Sequence, residues 1–324
     1  MTDIKEIQDI VQQWFAEESC NASPKGLYEP IDYTLSQKGK RLRPTLLAAA
    51  CNLFEGDMQK VRYAALAIEI FHNFTLLHDD LMDRSPLRRG MPTVYSKWNE
   101  NTAILSGDTM LSLAWRYMLK QQHERHHHIL ECFNETAIEI CEGQQYDMDF
   151  ETRDDVSIDE YMMMIRKKTD VLLAGALKIG ALYANASDND INHLYEYGIQ
   201  TGLAFQLQDD LLDTFGDTAV LGKQTAQDIR DNKKNIFYLQ AIKNSSPSQK
   251  ATLTQIFTAK ATKTEDDIQK VLDIYKELSL RSLVEGSIAQ HIERARMALD
   301  AVNADAERKQ PLMQILAKLS QRKK

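Results

Sequence analysis

Apolar residues recur with a period of about 3.6 along almost the whole chain, which is the repeat of helices that each bury one face. Val61, Ala64, Ala65, Ile68 and Phe71 mark one such face in a stretch that runs on into Leu76-Leu77-His78-Asp79-Asp80. No run alternates apolar and polar residues as a half-buried strand does. Only 13 Gly and 7 Pro occur in 324 residues, too few for the many turns of a sandwich, a barrel or a doubly wound sheet. The spacing predicts helices near 4–20, 43–54, 59–82, 100–120, 127–148, 157–184, 189–215, 233–243, 247–258, 264–297 and 302–320. Ser157 followed by Glu160 supplies a capping-box start for one of them. The expectation is an all-α chain forming one domain, residues 1–324, of about ten helices.

A formal charge of −8 argues against a general nucleic-acid binder, because such proteins carry a basic face that neutralises phosphates. Cys20, Cys51, Cys132 and Cys141 form no Cys-x-x-Cys pair, so reduced thiols and a cytoplasmic setting are expected. The opening MTDIKEIQDI is acidic and amphipathic, and nowhere do eighteen apolar residues run together. Neither a cleaved signal nor a membrane-spanning helix is expected.

Two stretches, 84–99 and 216–232, break the helical pattern, and each follows a cluster of aspartates. The clusters are Asp79-Asp80-x-x-Asp83 and Asp209-Asp210-x-x-Asp213, 130 residues apart. Residues four apart on a helix stack one above the other, so Asp79 with Asp83, and Asp209 with Asp213, form carboxylate ladders. One such pattern alone reads equally well as a solvated acidic helix end. Two copies at the ends of apolar helices, each leading into a basic loop, point to a hard cation, since the like charges resist desolvation without one. An all-oxygen set suits Mg²⁺, which completes its shell with water and substrate phosphate.

Phosphate also needs cationic donors, and these appear in local groups. Lys40, Arg41 and Arg43 precede or open a helix whose first turn contains Pro44, a place where an anion meets both side chains and helix dipole. Arg88 and Arg89 follow Asp83 closely, and His72 lies seven residues before Asp79 on the same helical face. Lys168-Thr169 sits within an apolar helix, while Lys223 and Lys233 lie in and just beyond the second loop. Taken singly, each also reads as a surface cation or, for His72, as a core histidine.

The motifs GKRLRP (39–44), HNFTLLHDDLMDRSPLRRG (72–90), GD (107–108), GQQYD (143–147), KT (168–169), FQLQDDLLD (205–213) and LGKQTAQDIRDNK (221–233) resemble, in content and order, those of the trans-isoprenyl diphosphate synthases, or polyprenyl synthetases. The resemblance implies a large orthogonal helical bundle around a central apolar cavity and Mg²⁺-dependent condensation of isopentenyl diphosphate with an allylic diphosphate. It implies that Asp79 and Asp83 bind two Mg²⁺ ions and Asp209 a third, with Asp80, Asp210 and Asp213 supporting them. Arg88, Lys168, Gln206, Lys223 and Lys233 are implied to hold the allylic diphosphate, and Lys40, Arg43, His72 and Arg89 isopentenyl diphosphate. Oxygens near Lys168, Thr169 and Gln206 are implied to stabilise the allylic cation. A homodimer with one site per subunit is the implied assembly.

Phe74 and Thr75, with Phe71 a turn below, occupy the positions that set chain length in that family, and an aromatic beside a small residue resembles the geranylgeranyl (C20) class. A farnesyl (C15) product, a class I terpene cyclase and a non-catalytic partner subunit are the alternatives; the second aspartate motif opposes the cyclase and two intact clusters oppose the partner. Three residues depart from the family pattern: Lys38, Asp170 and Ala226 stand where a glycine, a small residue and a loop glycine are usual. Asp170 is expected to face away from the diphosphate, since adjacent residues on a helix point about 100° apart.

Overall fold

The helical repeat is realised almost throughout the computed structural model, which describes residues 3–18, 22–37, 39–216, 225–259 and 262–321. In chain order the helices are α1 (Ile4–Ala16), α2 (Lys25–Ser36), α3 (Leu42–Leu53), α4 (Arg62–Met82), α5 (Val94–Lys97), α6 (Glu100–Met118), α7 (His126–Thr152), α8 (Ile158–Ile165), α9 (Val171–Tyr183) and α10 (Asp188–Phe215). They continue as α11 (Gln227–Arg230), α12 (Ile236–Asn244), α13 (Pro247–Thr258), α14 (Glu265–Glu277), α15 (Leu280–Ala301) and α16 (Ala306–Gln321). The strands among the described residues are β1 (Leu87–Arg88) and β2 (Met91–Pro92), paired antiparallel.

The chain divides into two compact units. The first comprises Met1–Asn134, Gly175–Leu194 and Asn303–Leu312. Its core is the apolar stripe of α4 (Ala64, Ala65, Ile68 and Phe71) with Leu46, Leu47 and Ala50 of α3, Ile7 and Val11 of α1, and Met110, Ala114 and Met118 of α6, all buried. Helices α4 and α6 lie close because residue 107 is glycine: a Cβ there would sit 2.1 Å from His78 Nε2. The second unit comprises Glu135–Ala174, Tyr195–Val302 and Met313–Lys324. Phe237 anchors its core, 5.3 Å from the Phe215 ring and 5.9 Å from Tyr275.

The cap read from sequence is formed. Ser157 Oγ accepts the Glu160 N–H at 3.2 Å while Glu160 Oε2 accepts the Ser157 N–H at 2.9 Å. Other elements differ from expectation. Helix α2 carries Gly26 and Pro30 and gives little helical signal; burial of Ile31 and a bond from Ser106 Oγ to Leu27 O at 3.2 Å hold it. The expected helix 264–297 is two helices, because Ser279 takes a left-handed conformation (φ 53°) between α14 and α15. The expected helix 157–184 is interrupted by a π-turn at Arg166–Asp170. Such local widenings leave no compositional mark and recur at functional sites.

The Gly107→Ala substitution drives a methyl into the His78 ring, and overpacking of this kind costs about 1–3 kcal/mol. A lower midpoint in circular-dichroism melting is the expected result; an unchanged midpoint would show that the α4–α6 contact yields freely.

Candidate active site

The first aspartate cluster forms at the end of α4 and the turn that stops it. Asp83 N–H still bonds to Asp79 O at 2.9 Å, so the ladder of these two residues persists one residue past the helix. Arg84 then turns left-handed (φ 51°), with Ser85 N–H bonding to Asp80 O at 2.9 Å and Arg84 N–H to Leu81 O at 3.3 Å, which is a Schellman stop. The chain enters the β1–β2 hairpin, whose two turn residues, Arg89 (φ 53°) and Gly90 (φ 78°), both have positive φ as a two-residue reverse turn demands. That turn brings Arg88 back over the helix end. Its Nε donates to Asp80 Oδ1 at 2.8 Å and its Nη2 to Asp79 Oδ2 at 3.2 Å. Asp80 is buried, and burial pushes its carboxyl up to about 6 despite Arg88, with Asp79 and Asp83 adding to the rise.

The cations expected to hold the second diphosphate gather in the same unit. Arg43, in the first turn of α3, donates from Nη1 to His72 Nε2 at 3.0 Å. Burial holds the imidazole well below its usual pKa, and the Arg43, Arg89 and Arg88 charges depress it further; His72 is therefore neutral, accepting through Nε2. The Arg89 guanidinium lies against Gly39, with Nη1 3.0 Å from where a Cβ would stand. Lys40 is exposed beside it. Asn73, Arg88, Arg89 and Thr93 line a small cavity above α4. Below the cluster, Phe74 packs edge-on to His78 at 4.9 Å and against Phe71 at 5.5 Å, and Phe71 meets Phe133 at 5.4 Å. Thr75 Oγ1 bonds back to His72 O at 2.8 Å.

The second cluster, in the other unit, repeats this division of roles. Asp209 is half-buried near the end of α10, whereas Asp210 is buried. Asp210 accepts from Tyr161 Oη at 2.5 Å and from Gln206 Nε2 at 3.3 Å, and burial pushes it up to about 7. Asp213 turns to the following loop: its carboxylate accepts the Asp228 N–H at 3.0 Å and its carbonyl the Ala226 N–H at 2.6 Å. Ala226 is left-handed (φ 59°), which costs a residue with a Cβ about 1–2 kcal/mol and explains why glycine serves there readily. Lys233 N–H bonds to Asp228 O at 2.8 Å, and neighbouring Lys234 grips Arg153 O at the far end of α7. Lys223 lies outside the described residues, as do Lys38 and the basic end 322–324.

The π-turn carries Lys168 and Thr169, both half-buried. Gly143 of α7 lets the turn approach: a Cβ there would lie 2.3 Å from Lys168 N. One turn on, Asp147 Oδ2 accepts from Lys168 Nζ at 2.5 Å. The GQQYD motif thus has a physical role, close approach followed by a counter-ion. Asp170 is fully buried toward Gly202, whose added Cβ would sit 2.4 Å from its Oδ1. Its carboxylate enters the packing of α10, as its 100° offset from a neighbour suggests.

The family's sequence model for polyprenyl synthetase matches residues 24–275. The chain belongs to the polyprenyl synthetase family. It is 39% identical over 295 residues to a geranylgeranyl diphosphate synthase of Methanosarcina mazei, covering 90% of this chain and 88% of that one. It is 41% identical over 256 residues to a geranylfarnesyl diphosphate synthase of Natronomonas pharaonis, covering 74% and 75%. A crystal structure of a geranylgeranyl pyrophosphate synthase superposes with a TM-score of 0.93 at 38% identity, covering all of both chains.

Among the described residues no group of three or more His, Cys, Asp or Glu side chains is gathered as a metal site. The carboxylates present still fit a hard cation. Both ladders stand at helix C-termini, where the macrodipole is negative and a carboxylate costs about 0.3–1 kcal/mol, and all their donors are oxygen. Sequence reading missed Tyr161, Asp147, Asp228 and Lys234. Asp147 had a signal, one helical turn after Gly143; Tyr161 had none beyond its place on the apolar face of α8.

His72 is neutral in the folded protein and titrates normally when unfolded, so the unfolded state takes up the extra proton and the contribution to stability is lost as pH falls below about 6.5. The fall in melting temperature between pH 7.5 and pH 5.5 is expected to be smaller for His72→Gln than for the parent protein. Equal falls would place the ring in a solvated setting.

Proposed function

We propose that this chain is a Mg²⁺-dependent prenyltransferase that joins isopentenyl diphosphate head to tail to an allylic diphosphate and releases geranylgeranyl diphosphate (C20). The observation that carries the reading is the repeated division of labour in the two clusters, a buried and hydrogen-bonded second aspartate beside a half-buried first one. The names of the relatives support the C20 product. A C25 product is the second reading, favoured by the 41% identity to the geranylfarnesyl diphosphate synthase.

In this reading Asp79 and Asp83 hold two Mg²⁺ ions and Asp209 a third, while Asp80, Asp210 and Asp213 fix the helix ends that present them. Bound Mg²⁺ supplies the Lewis-acid charge that makes diphosphate a leaving group. Arg88, Lys168, Lys223 and Lys233 add positive charge where the leaving oxygen becomes anionic. Lys40, Arg43, His72 and Arg89 bind isopentenyl diphosphate, with neutral His72 orienting Arg43 through the 3.0 Å bond. The allylic carbon–oxygen bond breaks, the isopentenyl double bond forms the new carbon–carbon bond, and a proton leaves to the released pyrophosphate. Thr169 and Gln206 offer oxygens to the cation, and Phe205, Leu76 and Leu77 exclude water that would quench it. The aromatic cluster of Phe74, Phe71 and Phe133 forms the floor that stops growth. A homodimer in the cytoplasm completes the reading; no helix among the described residues is long and apolar enough to cross a membrane.

The test is incubation of the purified protein with Mg²⁺, labelled isopentenyl diphosphate and each of the dimethylallyl, geranyl and farnesyl diphosphates, with products sized by carbon number. C20 is expected, C25 selects the second reading, and no extension with any primer refutes both. Asp79→Ala is expected to lose about 10³-fold or more of turnover with an unchanged helical spectrum; retained turnover would remove Asp79 from the metal site. Phe74→Ala is expected to shift products to longer chains, and an unaltered distribution would show that the ring is core alone.

A further inference from the structure

Asp210 is the most enclosed acid of the second cluster, 4% exposed, and its partners are specific. Tyr161, itself 5% exposed, reaches Asp210 Oδ2 at 2.5 Å; Gln206, one helical turn before Asp210 on α10, reaches Oδ1 at 3.3 Å. Burial beside Asp210 raises the Tyr161 phenol well above its usual pKa, so its O–H is present to donate. With one carboxylate oxygen held by Tyr161, the other meets the NH₂ of Gln206. An amide has two unlike ends. Tying Nε2 to Asp210 leaves the carbonyl Oε1 as the end offered elsewhere.

We infer that Tyr161 is a positioning residue that, through Asp210, locks the Gln206 amide with its carbonyl rather than its NH₂ offered to the substrate. The inference rests on the prenyl-transfer reading above, in which the substrate carbon beside Gln206 becomes cationic. A carbonyl dipole stabilises that carbon and an NH₂ group repels it, so the flip state of one amide decides the sign of its contribution. Tyr161 is well placed to hold it. Its helix begins at the Ser157–Glu160 capping box, and Glu160 is fixed by Arg153 Nη1 at 2.8 Å. Arg153 O is in turn held by Lys234. Removing the phenol O–H leaves Asp210 Oδ2 without its donor in a buried place, and the carboxylate then rotates to recover one, releasing Gln206.

The test uses Tyr161→Phe, Gln206→Ala and the double variant in the full chain, with binding read by calorimetry in the presence of Mg²⁺. One probe is an allylic diphosphate analogue carrying an ammonium nitrogen in place of the carbon that becomes cationic; the other is an allylic thiolodiphosphate, which keeps the diphosphate but carries no positive charge. Tyr161→Phe is expected to weaken the ammonium probe about tenfold and the thiolodiphosphate by less than about twofold, with circular dichroism unchanged, the size of one hydrogen bond to a charged group. The double variant is expected to bind the ammonium probe no more weakly than Gln206→Ala alone, because both changes remove one coupled unit. Equal weakening of both probes, losses that add in the double variant, or no loss at all would overturn the inference. Failure of the parent protein to bind either probe would instead overturn the prenyl-transfer reading beneath it.

Discussion

Carboxylates at the wrong end of a helix organise the rest of the structure. Asp79 and Asp80 lie in the last turn of α4, with Asp83 capping it, and Asp209, Asp210 and Asp213 lie in the last two turns of α10. The helix dipole presents its negative end there, so each added carboxylate is opposed by both the backbone and its neighbours. Such an arrangement persists only where positive charge is supplied. Arg88 supplies it in the first unit, folded back by a two-residue turn onto Asp79 and Asp80.

From that constraint follows the separate work of adjacent aspartates. In each pair the second residue points into the protein and is committed to fixed donors, Arg88 for Asp80 and Tyr161 with Gln206 for Asp210. The first is only half-buried. The buried member makes the helix end rigid, and in the proposed reading that rigidity is what would let the other meet a metal ion at defined positions. Asp213 carries this into the next loop by holding the backbone of Ala226 and Asp228, so the segment leading to Lys233 is anchored on the aspartate cluster it serves.

Close backbone approach is the second device. Gly107 admits the His78 ring between α6 and α4, and Gly143 admits the backbone of the π-turn against α7. Both glycines sit within helices, where glycine costs about 1 kcal/mol relative to alanine. Each is retained because a methyl there would meet an atom at little more than 2 Å. The π-turn aims Lys168 at Asp147 and sends Asp170 into the packing beside Gly202, so neighbouring charges of opposite sign are kept to separate tasks.

The sequence by itself determined the all-helical class, most helix positions and the aspartate ladders, because a 3.6-residue repeat and charge spacing are local properties that survive without neighbours. Only the tertiary structure decided where long helical patterns break. Ser279 turns left-handed and residues 166–170 widen to a π-turn in stretches whose propensity is unbroken, since packing outweighs the few tenths of a kcal/mol that propensity supplies. It likewise decided that Gly26 and Pro30 belong to a helix, that Arg89 and Gly90 form a tight turn, and that Tyr161 reaches Asp210 across 49 residues of chain. Pairings between distant residues leave no periodic trace in one sequence; they exist only once the helices are packed.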